Sequence, residues 1–176
     1  MRIECDEDGP IVAHTTDADE TRDVAARLSG ALRGGEALGL RGDLGAGKTV
    51  FVQGLAHGLG SCDPVTSPSF VIAHEYRGRV RLHHIDLYRL DCGHVDDLGL
   101  EDLIAPDAVL AVEWSERLPD RLRRLLSLEI AIECGECEFE RRLAIVAPQR
   151  TDGDLMTRIA QAFCRPESLP AEAPEA

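Results

Sequence analysis

Apolar positions in the first third of the chain switch between strand-like and helix-like spacing. Ile11 to Ala13 is a short apolar run that predicts a strand. Asp17 is suited to a helix N-cap, and after it apolar residues recur at helical spacing as far as Leu32. Glu36 to Arg41 predicts a second short strand, and Val50 to Leu59 predicts a second helix. This order of strands and helices is typical of an α/β protein.

The second half of the chain contains two predicted hairpins. The stretches "FVIAHEY" and "VRLHHIDLY" flank Arg77-Gly78-Arg79, and "LEIAIE" and "FERRLAIV" flank a Cys-Gly-Glu-Cys turn. The other predicted elements are one or two short helices in Asp96 to Ile104, a buried strand at Ala108 to Val112 that ends in Glu113, and a closing helix at Thr151 to Phe163. We therefore predict an α/β fold with a mixed sheet flanked by helices.

Length and charge narrow the class of protein. With 176 residues the chain predicts one domain, which we assign to residues 1–164, and a Pro-, Ala- and Glu-rich disordered tail at 165–176. No signal peptide or membrane-length apolar run is visible, so a cytoplasmic protein is expected. The net charge of −13 opposes the approach of nucleic-acid phosphates. We expect no binding to membrane or DNA, and contact with RNA only through a partner.

The six cysteines are expected to be free thiols in such a protein. Cys134 and Cys137 form a C-x-x-C, for which two interpretations are available. A zinc site usually requires a second such pair or added histidines. The chain offers no second pair, so the interpretation of these residues as a hairpin turn is favoured over zinc.

The octet "GDLGAGKT" fits the pattern G-x-x-x-x-G-K-[ST] of a phosphate-binding loop (P-loop), and its lysine is the only lysine in the chain. Glycines let successive backbone N–H groups face one anion, and the helix that follows adds its positive end. A compact ammonium reaches the outer phosphates in a way that a planar guanidinium does not. The alternative is a glycine-rich turn with an incidental lysine. The predicted nucleotide-binding residues here are Gly42, Asp43, Leu44, Gly45, Ala46, Gly47, Lys48, Thr49 and Val50.

Two acids follow predicted strands and are candidates for the metal and the attacking water. Asp86 follows "RLHHI" and Glu113 follows "AVLAV". Parallel strands would deliver both to the edge of the sheet beside the loop, although each could also be an ordinary residue at a strand end. The guanine-reading motif Asn-Lys-x-Asp cannot exist, because the single lysine lies in the octet. ATP is therefore the expected nucleotide.

Five stretches in this order resemble one family. They are "GDLGAGKT", "VTSPSFVIAHEY", "HIDLYRL", "LGLEDLI" and "VEW", within roughly Thr15 to Pro148. The chain is similar to the TsaE (YjeE) family of bacterial tRNA threonylcarbamoyladenosine synthesis. The resemblance implies a P-loop, Mg²⁺-dependent ATPase that acts on the TsaB–TsaD complex, which modifies adenosine 37 of tRNAs reading ANN codons.

The resemblance also implies roles for particular residues. Thr49 and Glu113 resemble Mg²⁺ ligands, and Asp86 resembles the acid needed for hydrolysis near the metal and water. Lys48 and Asp86 are the predicted catalytic residues. A loop at Thr66, Ser67 and Pro68 resembles a switch that senses the γ-phosphate. Trp114 is similar to a tryptophan beside the nucleotide, or is simply a core aromatic. The adenine pocket has no strong motif, and we assign it to Thr16 to Ala18 and to Arg141.

Ser69 replaces the family's usual threonine, and His83 is an additional histidine to which no role is assigned. Two other classes of function stay open. A P-loop small-molecule kinase would use "RLPDRLRR" as an arginine lid over the phosphates. A binding module would hold ATP without hydrolysing it. Release of phosphate from ATP separates these alternatives.

Overall fold

Eight strands form one mixed sheet in a computed structural model that describes residues 1–5, 9–68, 73–90, 95, 98–148 and 153–164. The strands are β1 (Arg2–Cys5), β2 (Ile11–Thr15), β3 (Ala37–Arg41), β4 (Ala73–Tyr76), β5 (Arg81–Asp86), β6 (Ala108–Glu113), β7 (Leu128–Cys134) and β8 (Arg141–Val146). The α-helices are α1 (Ala18–Ser29), α2 (Lys48–Gly58), α3 (Asp120–Arg123) and α4 (Gly153–Cys164). Short 3-10 helices cover Leu100–Leu103 and Ser115–Arg117.

The sheet has the strand order β1-β2-β8-β7-β3-β6-β5-β4. Its centre is parallel, since β3 pairs with β6 and β7, and β5 pairs with β6. Both predicted hairpins, β4–β5 and β7–β8, are antiparallel pairs, as are β1–β2 and β2–β8. The predicted α/β fold with a mixed sheet is confirmed.

The parallel centre decides where the functional side chains lie. The carboxyl end of β3 leads through residues 42–47 into α2. The register of β5 and β6 pairs Asp86 with Glu113 at the end of both strands. Because the carboxyl ends of parallel strands meet at one edge of a sheet, the octet and both acids share that edge.

Apolar side chains cover both faces of the sheet. On one face α1, α2 and α4 pack through residues such as Val24, Leu28, Phe51 and Ile159. On the other face a second core includes the short helices. Every residue of β6 is buried, which explains its continuous apolar run, since a central parallel strand has no solvent side.

Helices α1 and α2 approach so closely that a glycine is required between them. A Cβ atom on Gly54 would lie 2.2 Å from the backbone oxygen of Arg22. Backbone atoms cannot retreat as a flexible side chain can, so Gly54→Ala should lower the free energy of unfolding by about 3 kcal/mol. Urea denaturation measures this loss. His57→Ala, an exposed change on the same helix, is the control and should cost under about 0.5 kcal/mol. Equal stability of the two variants would contradict the packing argument.

Some observed elements differ from the predicted ones. Strand β1 and helix α3 were not predicted, because β1 is short and polar and α3 lies within "RLPDRLRR". Helix α2 begins at Lys48, two residues before the predicted start, because the left-handed Gly47 is its N-cap. A short helix was predicted within the segment 96–104, and the 3-10 helix Leu100–Leu103 confirms it.

Several predictions concern residues that the structure does not describe. They are the disordered tail at 165–176, the first part of the strand "FVIAHEY" and Ser69 in the switch-like loop. Of the helices in the described ranges, none has the length and apolar character needed to cross a bilayer.

Candidate nucleotide site

Residues 42–47 form the turn between β3 and α2, which is the strand–loop–helix context predicted for a phosphate-binding loop. Gly47 has φ 106°, a left-handed conformation that favours glycine, and it caps the helix without a side chain. Its carbonyl accepts the first helical bond from the N–H of Phe51 at 2.9 Å. The N-terminus of α2, which carries the positive end of the helix dipole, therefore begins directly after the loop.

The Lys48 side chain is folded back over this loop and is 4% exposed. Its Nζ donates to the carbonyl oxygens of Gly42 at 2.6 Å and Asp43 at 2.9 Å. The same atom lies 3.7 Å from the ring centroid of Trp114. Burial lowers the pKa of the Lys48 ammonium from its ordinary value, and nearby carboxylates, Glu113 foremost, oppose the shift. The lysine is thus held as a compact charge inside the loop, which agrees with its being the only lysine of the chain.

Thr49 and Glu113 are joined across the sheet edge. The Thr49 hydroxyl on α2 donates to Glu113 Oε1 at 2.9 Å. Nε2 of His84 on β5 lies 2.8 Å from the same oxygen. Glu113 is 3% exposed and His84 is fully buried. A buried carboxylate at this strand end is therefore held by one group from a helix and one from the neighbouring strand.

Asp86 lies beside Glu113 and is connected to the predicted switch-like loop. The Ser67 hydroxyl donates to Asp86 Oδ2 at 2.9 Å, and the backbone N–H of Tyr88 donates to Oδ1 at 2.9 Å. The two in-register acids of β5 and β6 thus make different contacts: Glu113 faces Thr49, and Asp86 faces Ser67.

The segment from Val65 to Ser67 has two further tethers. The Gln53 side-chain amide on α2 donates to the carbonyl of Val65 at 3.2 Å. The Tyr76 hydroxyl on β4 donates to the carbonyl of Thr66 at 3.2 Å. The predicted loop therefore contacts α2, β4 and, through Ser67, the end of β5.

Trp114 lies between the second core and the lysine of the loop. One part of the side chain packs against the second core, and the ring face contacts the Lys48 ammonium. Its φ of 60° is unusual for a bulky residue. The Tyr88 ring lies 5.0 Å from the Trp114 ring, and the Arg117 guanidinium lies 5.4 Å from it. The aromatic pair thus forms a wall beside the lysine.

A cavity of about 100 Å³ lies on the other side of the loop. Ala18, Val50, Phe139 and Arg141 are among its lining residues, together with the backbone of 45–47. Of the residues that the sequence analysis assigned to the adenine pocket, Asp17, Ala18 and Arg141 line this cavity. Thr16 does not line the cavity, because its N–H binds the Glu20 carboxylate at 2.8 Å.

Arg141 also fixes the loop from the hairpin side. Its Nε donates to the carbonyl of Ala46 at 2.9 Å, and its Nη2 reaches the carbonyl of Gly45 at 3.4 Å. The β7–β8 hairpin is therefore coupled to the octet by a side chain that borders the cavity.

Three of the four arginines of "RLPDRLRR" bind groups within the chain. Arg121 contacts the Glu101 carboxylate, and Arg123 donates to the carbonyl of Glu116 at 2.7 Å. Arg117 lies on the aromatic wall and donates to the carbonyl of Leu87 at 3.3 Å. These contacts give no support to the kinase interpretation.

Cys134 and Cys137 are exposed free thiols at the β7–β8 turn, as predicted. Within the described ranges, no group of three or more His, Cys, Asp or Glu side chains is arranged to hold a metal ion. The zinc interpretation therefore has no support in this part of the chain.

A comparison with models of protein families matches residues 15–143 to threonylcarbamoyl adenosine biosynthesis protein TsaE. The chain belongs to the TsaE family. Membership assigns it to the biosynthesis of threonylcarbamoyladenosine in tRNA, as the sequence resemblance implied.

Relatives and a solved structure agree with the TsaE assignment. The tRNA threonylcarbamoyladenosine biosynthesis protein TsaE of Nostoc sp. is 44% identical over 109 residues, covering 58% of this chain and 67% of that protein. The protein of the same name from Bacillus subtilis is 39% identical over 109 residues, covering 61% and 68%. The crystal structure of YdiB from Bacillus subtilis matches with a TM-score of 0.71 and 28% identity, over 93% of this chain and 99% of that one.

Sequence reasoning on the TsaE pattern missed three contributors to the site. His84 stands in the quoted "HIDLYRL" but received no role, although the alternation of a strand indicates that only one of His83 and His84 faces inward. Phe139 lies beyond the motifs, and its place beside the cavity depends on the hairpin. Gln53 reaches the switch-like loop from the helix that follows the octet, and no sequence signal marks that contact.

Proposed function

We propose that this member of the TsaE family binds ATP with Mg²⁺, hydrolyses it, and thereby acts on the TsaB–TsaD complex during threonylcarbamoylation of adenosine 37 in tRNAs that read ANN codons. The observation that carries the proposal is the assembly at one sheet edge of a buried loop lysine, the Thr49–Glu113 pair and Asp86. A phosphate cradle, a hydroxyl and two carboxylates are the groups that P-loop hydrolysis requires.

The residues present suit Mg²⁺ by their chemistry. Thr49, Glu113 and Asp86 offer hard oxygen donors, and Thr49 and Glu113 already lie 2.9 Å apart. Few protein ligands are typical, because Mg²⁺ is usually held by one or two carboxylates with water and phosphate oxygens. Thr49 and Glu113 would hold the ion, with Asp86 nearby; when bound, it would neutralise charge on the phosphates.

Lys48 and Asp86 would divide the work between binding and chemistry. Lys48 would exchange its contacts with loop carbonyls for the outer phosphate oxygens, because its Nζ already lies inside the loop. Asp86 would orient the attacking water, and its contact with Ser67 connects it to the switch-like loop. A γ-phosphate that ordered Thr66 and Ser67 would therefore also change the setting of Asp86.

The adenine base would occupy the cavity beside the loop. Phe139 lines this cavity and is 66% exposed, so its ring is accessible to a base that enters the cavity. Base–aromatic stacking contributes about 1–3 kcal/mol, so Phe139→Ala should weaken ATP binding about tenfold and leave inorganic triphosphate binding unchanged. Calorimetric titration with both ligands measures the difference. Leu125→Ala, a change at another exposed apolar residue, is the control. Equal losses for both ligands would contradict this placement of the base.

The partner complex, rather than this chain, would contact tRNA. The 32 Asp and Glu residues outnumber the 19 Lys and Arg residues, and the resulting net charge of −13 opposes the approach of nucleic-acid phosphates. Its contribution would be a nucleotide-dependent surface near Thr66, Ser67 and the partly exposed Tyr88, which adjoins the site through Trp114.

Co-purification with TsaB and TsaD tests the proposal directly. The tagged chain should retain both proteins with ATP and Mg²⁺ and retain less of them without nucleotide, and Lys48→Ala should show no response to ATP. Retention that was identical under all conditions would contradict the coupling to ATP. Retention that depended on ATP without any release of phosphate would favour the binding module over the ATPase.

A further inference from the structure

His84 is a fully buried polar side chain to which the proposed mechanism assigns no step. It extends from β5 toward the carboxyl end of β6, where Nε2 lies 2.8 Å from Glu113 Oε1. The ring centroid of Tyr76 lies 6.2 Å away on the other side. A buried histidine against a buried carboxylate needs a reason, because apolar packing alone would favour leucine at this position.

The surroundings of the ring identify which nitrogen carries the proton. Nδ1 of His84 is buried and has no hydrogen-bond partner among the described residues. Because the Glu113 carboxylate oxygen is an acceptor, Nε2 must carry a proton for its 2.8 Å contact to be a hydrogen bond, whereas a proton on Nδ1 would have no acceptor. We therefore assign the tautomer with the proton on Nε2, so that His84 donates to Glu113 Oε1.

One carboxylate oxygen then receives two hydrogen bonds from different elements. Thr49 donates from α2 at 2.9 Å, and His84 donates from β5 at 2.8 Å. Two donors on Oε1 fix the rotation of the Glu113 carboxylate. Because the Thr49 hydroxyl uses its proton to donate to Glu113, the lone pairs of the Thr49 oxygen are available to a cation.

We propose that His84 is a positioning residue that holds the Glu113 carboxylate in the orientation in which Glu113 and Thr49 together accept Mg²⁺. This inference rests on the proposed function. Removal of a group that orients a metal ligand typically costs 10–100-fold in metal affinity. The Mg²⁺ requirement, rather than the affinity for nucleotide alone, should therefore depend on His84.

The neighbouring histidine provides a matched control. His83 occupies the same strand and alternates to the opposite face, where its Nδ1 lies 3.9 Å from Glu75 Oε2. Burial lowers the pKa of the His83 imidazole, with Glu75 opposing the shift, so this ring is also partly desolvated. Substituting His83 therefore changes a partly buried histidine of β5 without touching Glu113.

The test is a Mg²⁺ titration of the binding of fluorescently labelled ATP, read as anisotropy, for the full chain and four variants. His84→Leu should raise the Mg²⁺ concentration at half-maximal binding about tenfold or more, while binding in EDTA stays within about twofold of wild type. His84→Gln, whose amide N–H can reach where Nε2 lies, should recover most of the loss. His84→Asn, which is too short, should not recover it. His83→Leu should match wild type.

Two further arms separate the outcomes. In a Glu113→Ala background, His84→Leu should add no further Mg²⁺ requirement, because the group that it positions is gone. Thermal unfolding without Mg²⁺ shows whether His84→Leu folds. If it does not fold, the test uses the difference in Mg²⁺ requirement between His84→Gln and His84→Asn instead. A wild-type Mg²⁺ requirement in both His84→Leu and His84→Asn would overturn this inference alone. Absence of Mg²⁺-dependent ATP binding in the wild-type chain would overturn the proposed function itself.

Discussion

Replacing Lys48 with alanine is expected to weaken ATP binding by about 100-fold or more. Charge-assisted hydrogen bonds contribute about 1.5–3 kcal/mol each, and the ammonium offers several to the outer phosphates. No other lysine in the chain can take its place. Isothermal titration calorimetry with ATP and Mg²⁺ measures the loss.

Lys48→Arg should lose nearly as much affinity although it keeps the charge. The ammonium fits between two loop carbonyls 2.6 and 2.9 Å away and a Trp114 ring 3.7 Å away. A planar guanidinium is broader than this space and would have to leave the loop. Arg41→Ala, which removes one half-exposed charge from the end of β3, is the control for net charge. Wild-type affinity in the arginine variant would contradict the account of the lone lysine.

Asp86→Ala should separate binding from chemistry. We expect ATP affinity within a few-fold of wild type and hydrolysis reduced by about 100-fold or more, because a group that positions or deprotonates water contributes roughly 10²–10⁴ in rate. Single-turnover release of phosphate and a parallel binding titration measure the two effects. Parallel loss of affinity and hydrolysis would show that Asp86 belongs to the phosphate cradle instead.

Two companion variants distinguish the acid from the contacts that it makes. Asp86→Asn keeps the size of the side chain and provides an amide oxygen as an acceptor. The contact with the switch-like loop can therefore be kept while the negative charge is lost. Ser67→Ala removes the 2.9 Å contact to Asp86 and leaves the carboxylate. If the negative charge is what matters, Asp86→Asn should be as slow as Asp86→Ala, and Ser67→Ala should be faster than either.

The fold and the centre of the site follow from local sequence signals. The octet specifies its own turn, since glycines, a lysine and the next helix are adjacent in the chain. Asp86 and Glu113 were predicted to lie together because each ends a strand, and parallel pairing of β5 and β6 places them in register. Both predictions needed only the class of fold in addition to the local pattern.

The contacts that cross between distant elements could not be predicted. β5 and β6 are neighbours, which brings His84 near Glu113. The contact between His84 Nε2 and Glu113 Oε1 also requires that the His84 side chain lie on the same face of the sheet as the Glu113 carboxylate. Phe139, in the β7–β8 turn, lines the same cavity as residues 45–47 of the octet, a neighbourhood that no periodicity encodes. Thr16 was assigned to the adenine pocket from its position before α1; its backbone N–H and hydroxyl donate to the Glu20 carboxylate, and it does not line the cavity at Ala18.

Release of phosphate from ATP in the presence of Mg²⁺, TsaB and TsaD is the most direct test of the central claim. The wild-type chain should release phosphate over repeated turnovers, more rapidly with the two partners than alone, and both Lys48→Ala and Asp86→Ala should reduce release to the background of the partners by themselves. If the wild-type chain released no more phosphate than Lys48→Ala under these conditions, the assignment as an ATPase would be wrong.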